Sequence, residues 1–307
     1  MSISNGFIGA LHPCEPDPHS SLYRHFRSLA RKASHLTRGR DHEGDRPHTR
    51  RLLVAITIAT IALATAGPLF HSMPTAAAAT SYRYDIYDSR GVRWQNPDYT
   101  ACTAASTEMM LNMIAYLGVK SAGVNGTTFR WTPNVTYATQ EKILAFERAH
   151  MTMLVSSAGT DPHGWRNALN YYGWGSLLAD VYRDTSFTSF DAAAKWAVRS
   201  VGSFGKPVAI LGWAGGHAQF ITGYSVTGAD PKTGSTAFTI NGVYLTDPLA
   251  SDGWRNTYVS YSTWRSGVWK IRFSSYAWRD SPYRDPVDGH IGKSEWYGRW
   301  VIVNAVR

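Results

Sequence analysis

An uncharged apolar segment at residues 52–70 divides this chain and limits which residues can form a soluble core. The segment, LLVAITIATIALATAGPLF, has no charge over nineteen residues, about the length that spans a bilayer core of roughly 30 Å. Residues 1–51 before it are basic and polar, with many Ser, His and Pro. Such a composition buries too little apolar surface to form a core. We therefore expect the fold to be confined to residues 80–307.

The residues after the apolar segment favour export. Residues 71–80, HSMPTAAAAT, are of the small type that signal peptidase accepts. Two outcomes stay open: cleavage near Ala78 or Ala79, which yields a secreted protein, or an uncleaved membrane anchor with its basic end in the cytoplasm. Both place the chain after Thr80 outside the cytoplasm or at the cell surface. The predicted organisation is a basic polar leader at 1–51, a signal or anchor region at 52–79, and one domain at 80–307.

The net charge of +9 does not predict a nucleic-acid partner. Nine of the 31 Lys and Arg residues, but only five of the 22 Asp and Glu residues, lie in positions 1–79. The basic residues that follow are scattered and form no run. This pattern is typical of a mildly basic exported protein, with at most a general attraction to anionic cell-surface polymers.

After residue 80, helical patterns come first and strand patterns follow. Apolar spacing predicts a helix over 102–117, and similar patterns predict helices at 138–150, 163–172 and 189–201. Short β-rich segments bounded by turn residues predict strands at 207–211, 218–223, 237–240, 242–245, 270–273 and 299–303. This order indicates an α+β fold, with helices N-terminal and an antiparallel sheet C-terminal.

Cys102 is the one cysteine after the leader, since the other is Cys14. It begins the first predicted helix, where the helix dipole and unpaired N–H groups favour a thiolate. A thiolate is the form that attacks carbonyl carbon. The alternative is a small buried hydrophobic residue, which is the usual role of a lone cysteine.

His217 and Asp247 supply the partners that such a thiolate needs. His217 follows two glycines and starts a predicted strand, HAQFITGY, from which its imidazole can take a proton from Cys102. Asp247 follows the apolar VYLT and precedes a proline, at a strand end from which it can orient an imidazole. Each also has an ordinary explanation: a histidine satisfied within the sheet, and an Asp-Pro turn.

Gln95 lies seven residues before Cys102. Its side-chain amide can donate to the oxyanion of a tetrahedral intermediate, beside the backbone N–H of Cys102. Considered without Cys102, His217 and Asp247, Gln95 would be interpreted as a surface residue.

Together these residues resemble a known family. Gln95, CTAASTEMML from Cys102, GKPVAILGWAGGHAQFITGY around His217 and VYLTDPL with Asp247 are similar to papain-like cysteine peptidases. The specific branch is that of the bacteriocin-leader (double-glycine) peptidases and their exported relatives, and the resemblance spans residues 93–272. One departure is that the family usually has Cys-Gly-Pro-Ala where this chain has Cys-Thr-Ala-Ala. We expect the branched side chain of Thr103 to narrow the cleft.

The resemblance implies a papain-like fold and amide hydrolysis through a thioester acyl-enzyme. Cys102 would be the nucleophile, His217 the general base and then acid, Asp247 the orienting residue and Gln95 the oxyanion donor. No metal or other cofactor is implied, and the expected partner is a peptide or protein substrate, such as a cell-wall peptide. Leader processing is not implied, because this chain shows no transporter segments. Two alternatives stay open: a catalytically silent surface binding module, and a thiol acyltransferase or amidase with the same triad.

Overall fold

The computed structural model describes residues 79–96, 101–118, 122–133, 137–154, 159–212, 215–249, 255–266, 279–290 and 292–307. The predicted leader, the apolar segment 52–70, the cleavage position Ala78 and the strand predicted at 270–273 lie outside these residues. Among the helices of the described residues, none has both the length and the apolar character needed to cross a bilayer.

Six α-helices occur in the described residues. They are α1 Cys102–Tyr116, α2 Tyr137–Ala149, α3 Pro162–Trp174, α4 Phe190–Phe204, α5 Tyr261–Ser266 and α6 Lys293–Trp296. The first four lie within three residues of the predicted ends, and for α3 and α4 capping signals in the sequence set these limits. The side chain of Asp161 accepts from the N–H of Gly164 to start α3, and Gly205, with φ of 59°, ends α4.

The strands form one large antiparallel sheet and one small one. They are β1 Ser81–Asp85, β2 Met153–Leu154, β3 Tyr182–Phe187, β4 Val208–Gly212, β5 His217–Gly228, β6 Phe238–Thr246, β7 Thr257–Ser260, β8 Arg279–Asp280 and β9 Trp300–Ala305. The seven-stranded sheet has the order β3-β9-β4-β5-β6-β7, with β1 also paired to β5, and β2 pairs with β8. The fold is therefore a mixed one of helices and antiparallel sheet, as predicted.

Two features of the sheet differ from the prediction. The strands predicted at 237–240 and 242–245 are one strand, β6, because Ser225 pairs with Gly242 while Val226 pairs with Ile240. The skipped residue, Asn241, is absorbed as a bulge instead of making a turn. In addition, β1 and β3 precede or interrupt the helices, so the helices-first order is only approximate.

The sheet is covered on both faces. One cluster joins α1 and α3 to one face and includes Met109, Met110, Leu111, Trp165, Leu169, Ala209, Leu211, Phe220, Val301 and Val303. The other joins α4 to the opposite face and includes Ala193, Ala197, Val198, Val201, Val208, Ile210, Ile221, Val243, Leu245 and Ile302. Burial of these apolar side chains between layers is the main stabilising contribution.

The sheet pairing decides where the chemically active side chains meet. Because Phe220 of β5 pairs with Thr246 of β6 in antiparallel register, the start of β5 lies beside the end of β6. Helix α1 packs against β5. The fold thus brings the first residue of β5 and the residue after β6 to the same end of the two strands, where α1 also begins.

Candidate active site

Cys102 is the first residue of α1 and is buried, with 3% of its surface exposed. The helix begins after Ala101, whose side chain makes no capping hydrogen bond. The N–H groups of the first turn, which have no carbonyl partner within the helix, lie close to the thiol and favour negative charge there.

His217 is the first residue of β5 and is fully buried. Its Nε2 donates to Oδ1 of Asp247 at 2.9 Å, and the imidazole also interacts with the Cys102 side chain. Because Nε2 is used by the aspartate, Nδ1 is the nitrogen available to the thiol. Just before the strand, Gly215 has φ of 98°, a value that L side chains rarely adopt, so a glycine is needed to turn the chain into this position.

The charges around His217 favour its protonated form. Burial alone disfavours an imidazolium, but the charge and hydrogen bond of Asp247 and the interaction with Cys102 outweigh it. The net result raises the pKa of His217 from 6.5 to about 10. A cationic imidazole beside the thiol in turn stabilises a thiolate, because opposite charges interact strongly where water is excluded.

Asp247 follows β6, is fully buried and accepts three hydrogen bonds. Oδ1 accepts from His217 and from the backbone N–H of Leu249, the latter at 2.8 Å, and Oδ2 accepts from Nε2 of Gln219. A carboxylate held by three donors keeps a single orientation. It can therefore fix which imidazole nitrogen carries the proton.

Gln219 is a site residue that the sequence interpretation missed. It lies two residues after His217 on β5, so both side chains point to the same face of the strand. A signal was present, since Gln219 is a polar residue inside an otherwise apolar strand segment, at the spacing that aligns it with the histidine. Its contact with Asp247 adds a neutral donor to the buried carboxylate.

Gln95 lies beside the same strand end. Its backbone N–H donates to the carbonyl oxygen of Pro248 at 2.8 Å, which joins the Gln95 segment to the residue after Asp247. The structure thus brings Cys102, His217 and Asp247 into one interacting group and ties the backbone of Gln95 next to Asp247.

Thr103 turns towards α2 rather than narrowing a cleft. It is buried, and its hydroxyl donates to Oε2 of Glu147 at 2.6 Å, while Thr107 donates to Oε1 of the same carboxyl at 3.0 Å. Burial raises the pKa of Glu147 from 4.5 to about 8, against the effect of these two hydrogen bonds. Thr103, which stands where the similar family usually has glycine, therefore has a hydrogen-bond partner inside the core.

A second cluster of titratable side chains surrounds Arg166 of α3. Ligand atoms of His163, Asp184 and Asp288 lie within 4.8 Å of one another, close enough to share a metal ion. Arg166, however, pairs with Asp285 at 2.8 Å, with Asp184 at 3.6 Å and with Asp288. The guanidinium already supplies the positive charge among these carboxylates and would repel a metal cation, so we assign the cluster a structural role.

Comparison of the chain with protein-family models, with curated proteins and with solved structures found no match.

Proposed function

We propose that this protein is an exported cysteine peptidase with a papain-like arrangement, in which Cys102, His217 and Asp247 hydrolyse a peptide or amide bond. The observation that carries the proposal is the buried group in which the His217 imidazole hydrogen-bonds the Asp247 carboxylate and interacts with the Cys102 side chain. A helix that starts at the thiol and neighbouring strands that carry the other two groups are what the resemblance leads us to expect.

The proposed reaction has two steps. The Cys102 thiolate attacks the carbonyl carbon, and the His217 imidazolium gives its proton to the departing amine, which leaves a thioester. Water then attacks the thioester while His217 takes one of its protons, and the C–S bond breaks, which releases the acid and restores the Cys102 thiolate beside the His217 imidazolium. Asp247 keeps its hydrogen bond to His217 throughout and stabilises the imidazolium.

The oxyanion of each tetrahedral intermediate needs donors fixed in advance. In this proposal they are the backbone N–H of Cys102, at the helix start, and the side-chain amide of Gln95. Loss of one such donor typically slows the chemical step by about 10²–10³-fold.

The proposed setting is outside the cytoplasm, either secreted or anchored through residues 52–70, with a peptide or protein as substrate. The uncharged segment and the Ala-rich residues after it support this setting. A cell-wall peptide is the substrate class that such a location makes accessible.

The test is the rate of Cys102 alkylation by iodoacetamide from pH 4 to 10.5. The full chain carries Cys14→Ser, so that Cys102 is the single thiol, and the denatured protein gives the unperturbed rate. We expect fast alkylation with an apparent pKa clearly below the ~8.5 of an ordinary thiol. In His217→Ala this advantage should disappear, because the positive partner of the thiolate is gone.

A thiol that reacts as in the denatured protein, or whose rate is indifferent to His217, would overturn the peptidase proposal in favour of a surface binding module. If the thiol is activated, the products that it forms from an acyl substrate are analysed with and without an acceptor amine. This comparison distinguishes hydrolysis from acyl transfer. Free acid as the product despite the amine supports the peptidase, whereas a new amide supports an acyltransferase.

A further inference from the structure

Gln140 of α2 holds both sides of Gln95. Gln140 is 1% exposed. Its Oε1 accepts from the backbone N–H of Asn96 at 2.9 Å, and its Nε2 donates to the carbonyl oxygen of Trp94 at 2.8 Å. One side-chain amide therefore satisfies the backbone groups immediately before and after the predicted oxyanion donor.

These bonds matter because residues 92–96 form neither helix nor strand. A segment without regular structure has no ladder to hold its backbone, so its buried N–H and C=O groups depend on side chains. Two further contacts fix the segment: the Gln95 N–H donates to Pro248, and the guanidinium of Arg255 lies 4.3 Å from the ring centre of Trp94.

The Gln140 amide has a defined orientation, and Glu108 of α1 also contacts it. Oε2 of Glu108 accepts from Nε2 of Gln140 at 3.0 Å, and Glu108 is 1% exposed. A flipped amide would place its oxygen against the Trp94 carbonyl oxygen and its NH2 group against the Asn96 N–H, and neither of these pairs can hydrogen-bond. Gln140 therefore has one favourable orientation, the one that holds both Trp94 and Asn96.

The contact also joins Gln95 to the nucleophile. Glu108 lies on the same helix as Cys102, six residues further along. Through Glu108 and Gln140, the segment that carries Gln95 is tied to the helix that carries the thiol.

We propose that Gln140 is a positioning residue, which holds Gln95 in place for the oxyanion and acts only through it. The inference rests on the proposed function, because it assigns Gln95 the oxyanion role.

The experiment compares two reactions of Cys102 in the full chain with Cys14→Ser. Iodoacetamide reacts at a methylene carbon, expels iodide and forms no oxyanion. p-Nitrophenyl acetate is attacked at its carbonyl carbon by Sγ, passes through an oxyanion and loses p-nitrophenolate. We expect Gln140→Ala to slow acylation at least about tenfold, since a displaced donor loses much of the 10²–10³-fold effect. Its alkylation rate should stay within about twofold of the parent chain.

The double variant tests whether Gln140 acts through Gln95. Gln95→Ala should slow acylation at least as much as Gln140→Ala does, and the combined variant should be no slower than Gln95→Ala alone. Three results would each overturn the proposal. The effects of Gln95→Ala and Gln140→Ala could multiply in the combined variant. Gln140→Ala could leave the acylation rate unchanged, or it could slow alkylation as much as acylation.

Asn170→Ala is the matched control. Asn170 is also 1% exposed and also brackets backbone groups, donating to the Tyr182 carbonyl at 2.9 Å and accepting from the N–H groups of Val181 and Tyr182. We expect Asn170→Ala to lower the free energy of unfolding without changing the ratio of the acylation rate to the alkylation rate. Gln140→Met, which keeps the side-chain length, replaces Gln140→Ala if the alanine variant does not fold.

Failure of the proposed function is seen separately. If the parent chain is not acylated and its thiol is ordinary, amide hydrogen exchange at Asn96 still tests the holding contact. Faster exchange in Gln140→Met but not in Asn170→Ala supports positioning of the segment, and unchanged exchange overturns it.

Discussion

The buried carboxylate of Asp247 depends on its individual donors. It has no exposed surface, and an ionised group in such a place is costly unless its oxygens are hydrogen-bonded. His217, Gln219 and the Leu249 N–H share this task. Removing a donor should therefore affect the imidazole through the carboxylate, and the Cys102 thiol through the imidazole.

Gln219→Ala tests this dependence. A hydrogen bond to a charged group contributes about 1.5–3 kcal/mol, and each ~1.4 kcal/mol corresponds to a tenfold rate change. We expect acylation of Cys102 to slow by about ten- to a hundredfold, measured as single-turnover release of p-nitrophenol. Thr222→Ala is the control, because Thr222 is a buried polar residue of the same strand that bonds Asn256 instead. Equal losses in both variants would mean that Gln219 has only a structural role.

The start of α1 is held by α2 through one carboxyl group. Thr103 and Thr107 are four residues apart, so they share a helix face, and both donate to Glu147. This contact holds the first turn of α1, where Ala101 supplies no capping hydrogen bond. The first turn, with Cys102 in it, is therefore fixed by tertiary contact rather than by its own sequence.

Thr103→Val should destabilise the protein although the side chain keeps its shape. It leaves one oxygen of a fully buried carboxyl without its donor, which costs about 1–3 kcal/mol. Urea unfolding measures the loss, and Thr103→Ser, which retains the hydroxyl, should recover most of it. If valine and serine have the same effect, the hydrogen bond to Glu147 contributes little.

Buried titratable groups make the stability of the whole molecule dependent on pH. Burial raises the pKa of Glu108 to about 7, of Glu147 to about 8 and of Asp161 to about 6, in each case despite hydrogen bonds that lower it. The folded protein therefore holds protons that the unfolded chain releases. Stability from these groups is fully present below their unfolded pKa values and is lost as the pH rises through the folded ones. The raised pKa of His217 acts in the same direction, up to about pH 10.

Glu147→Gln should make the protein less sensitive to pH between about 4.5 and 8. The amide keeps the shape and cannot ionise, so the wild type should lose up to ~1.4 kcal/mol more per pH unit than the variant over this range. Urea unfolding at several pH values gives the slopes. Glu141→Gln, at an exposed position of the same helix, should leave the slope unchanged. Parallel curves for the wild type and Glu147→Gln would show that Glu147 ionises normally.

Much of the fold was predictable because its signals are local. Apolar spacing, the Asp161 and Ser189 capping residues and the glycines after α3 and α4 identify helices through contacts only a few residues apart. Bulged β6 was predicted as two strands and polar β3 was missed, because pairing with β5 and β9 decides these segments.

For the site, the sequence was sufficient to single out Cys102, His217, Asp247 and Gln95, whose residue types and local positions suit one chemistry. Their meeting depends on the antiparallel pairing of β5 with β6 and on the packing of α1 against β5. Glu147 and Gln140 emerged only in the tertiary structure, whereas Gln219 also has a local signal in its spacing of two residues from His217. Glu147 and Gln140 contact residues 44 positions away in the chain, and no local pattern encodes a partner at that distance. Polar residues of this kind look ordinary in sequence, and burial beside a particular partner gives them their roles.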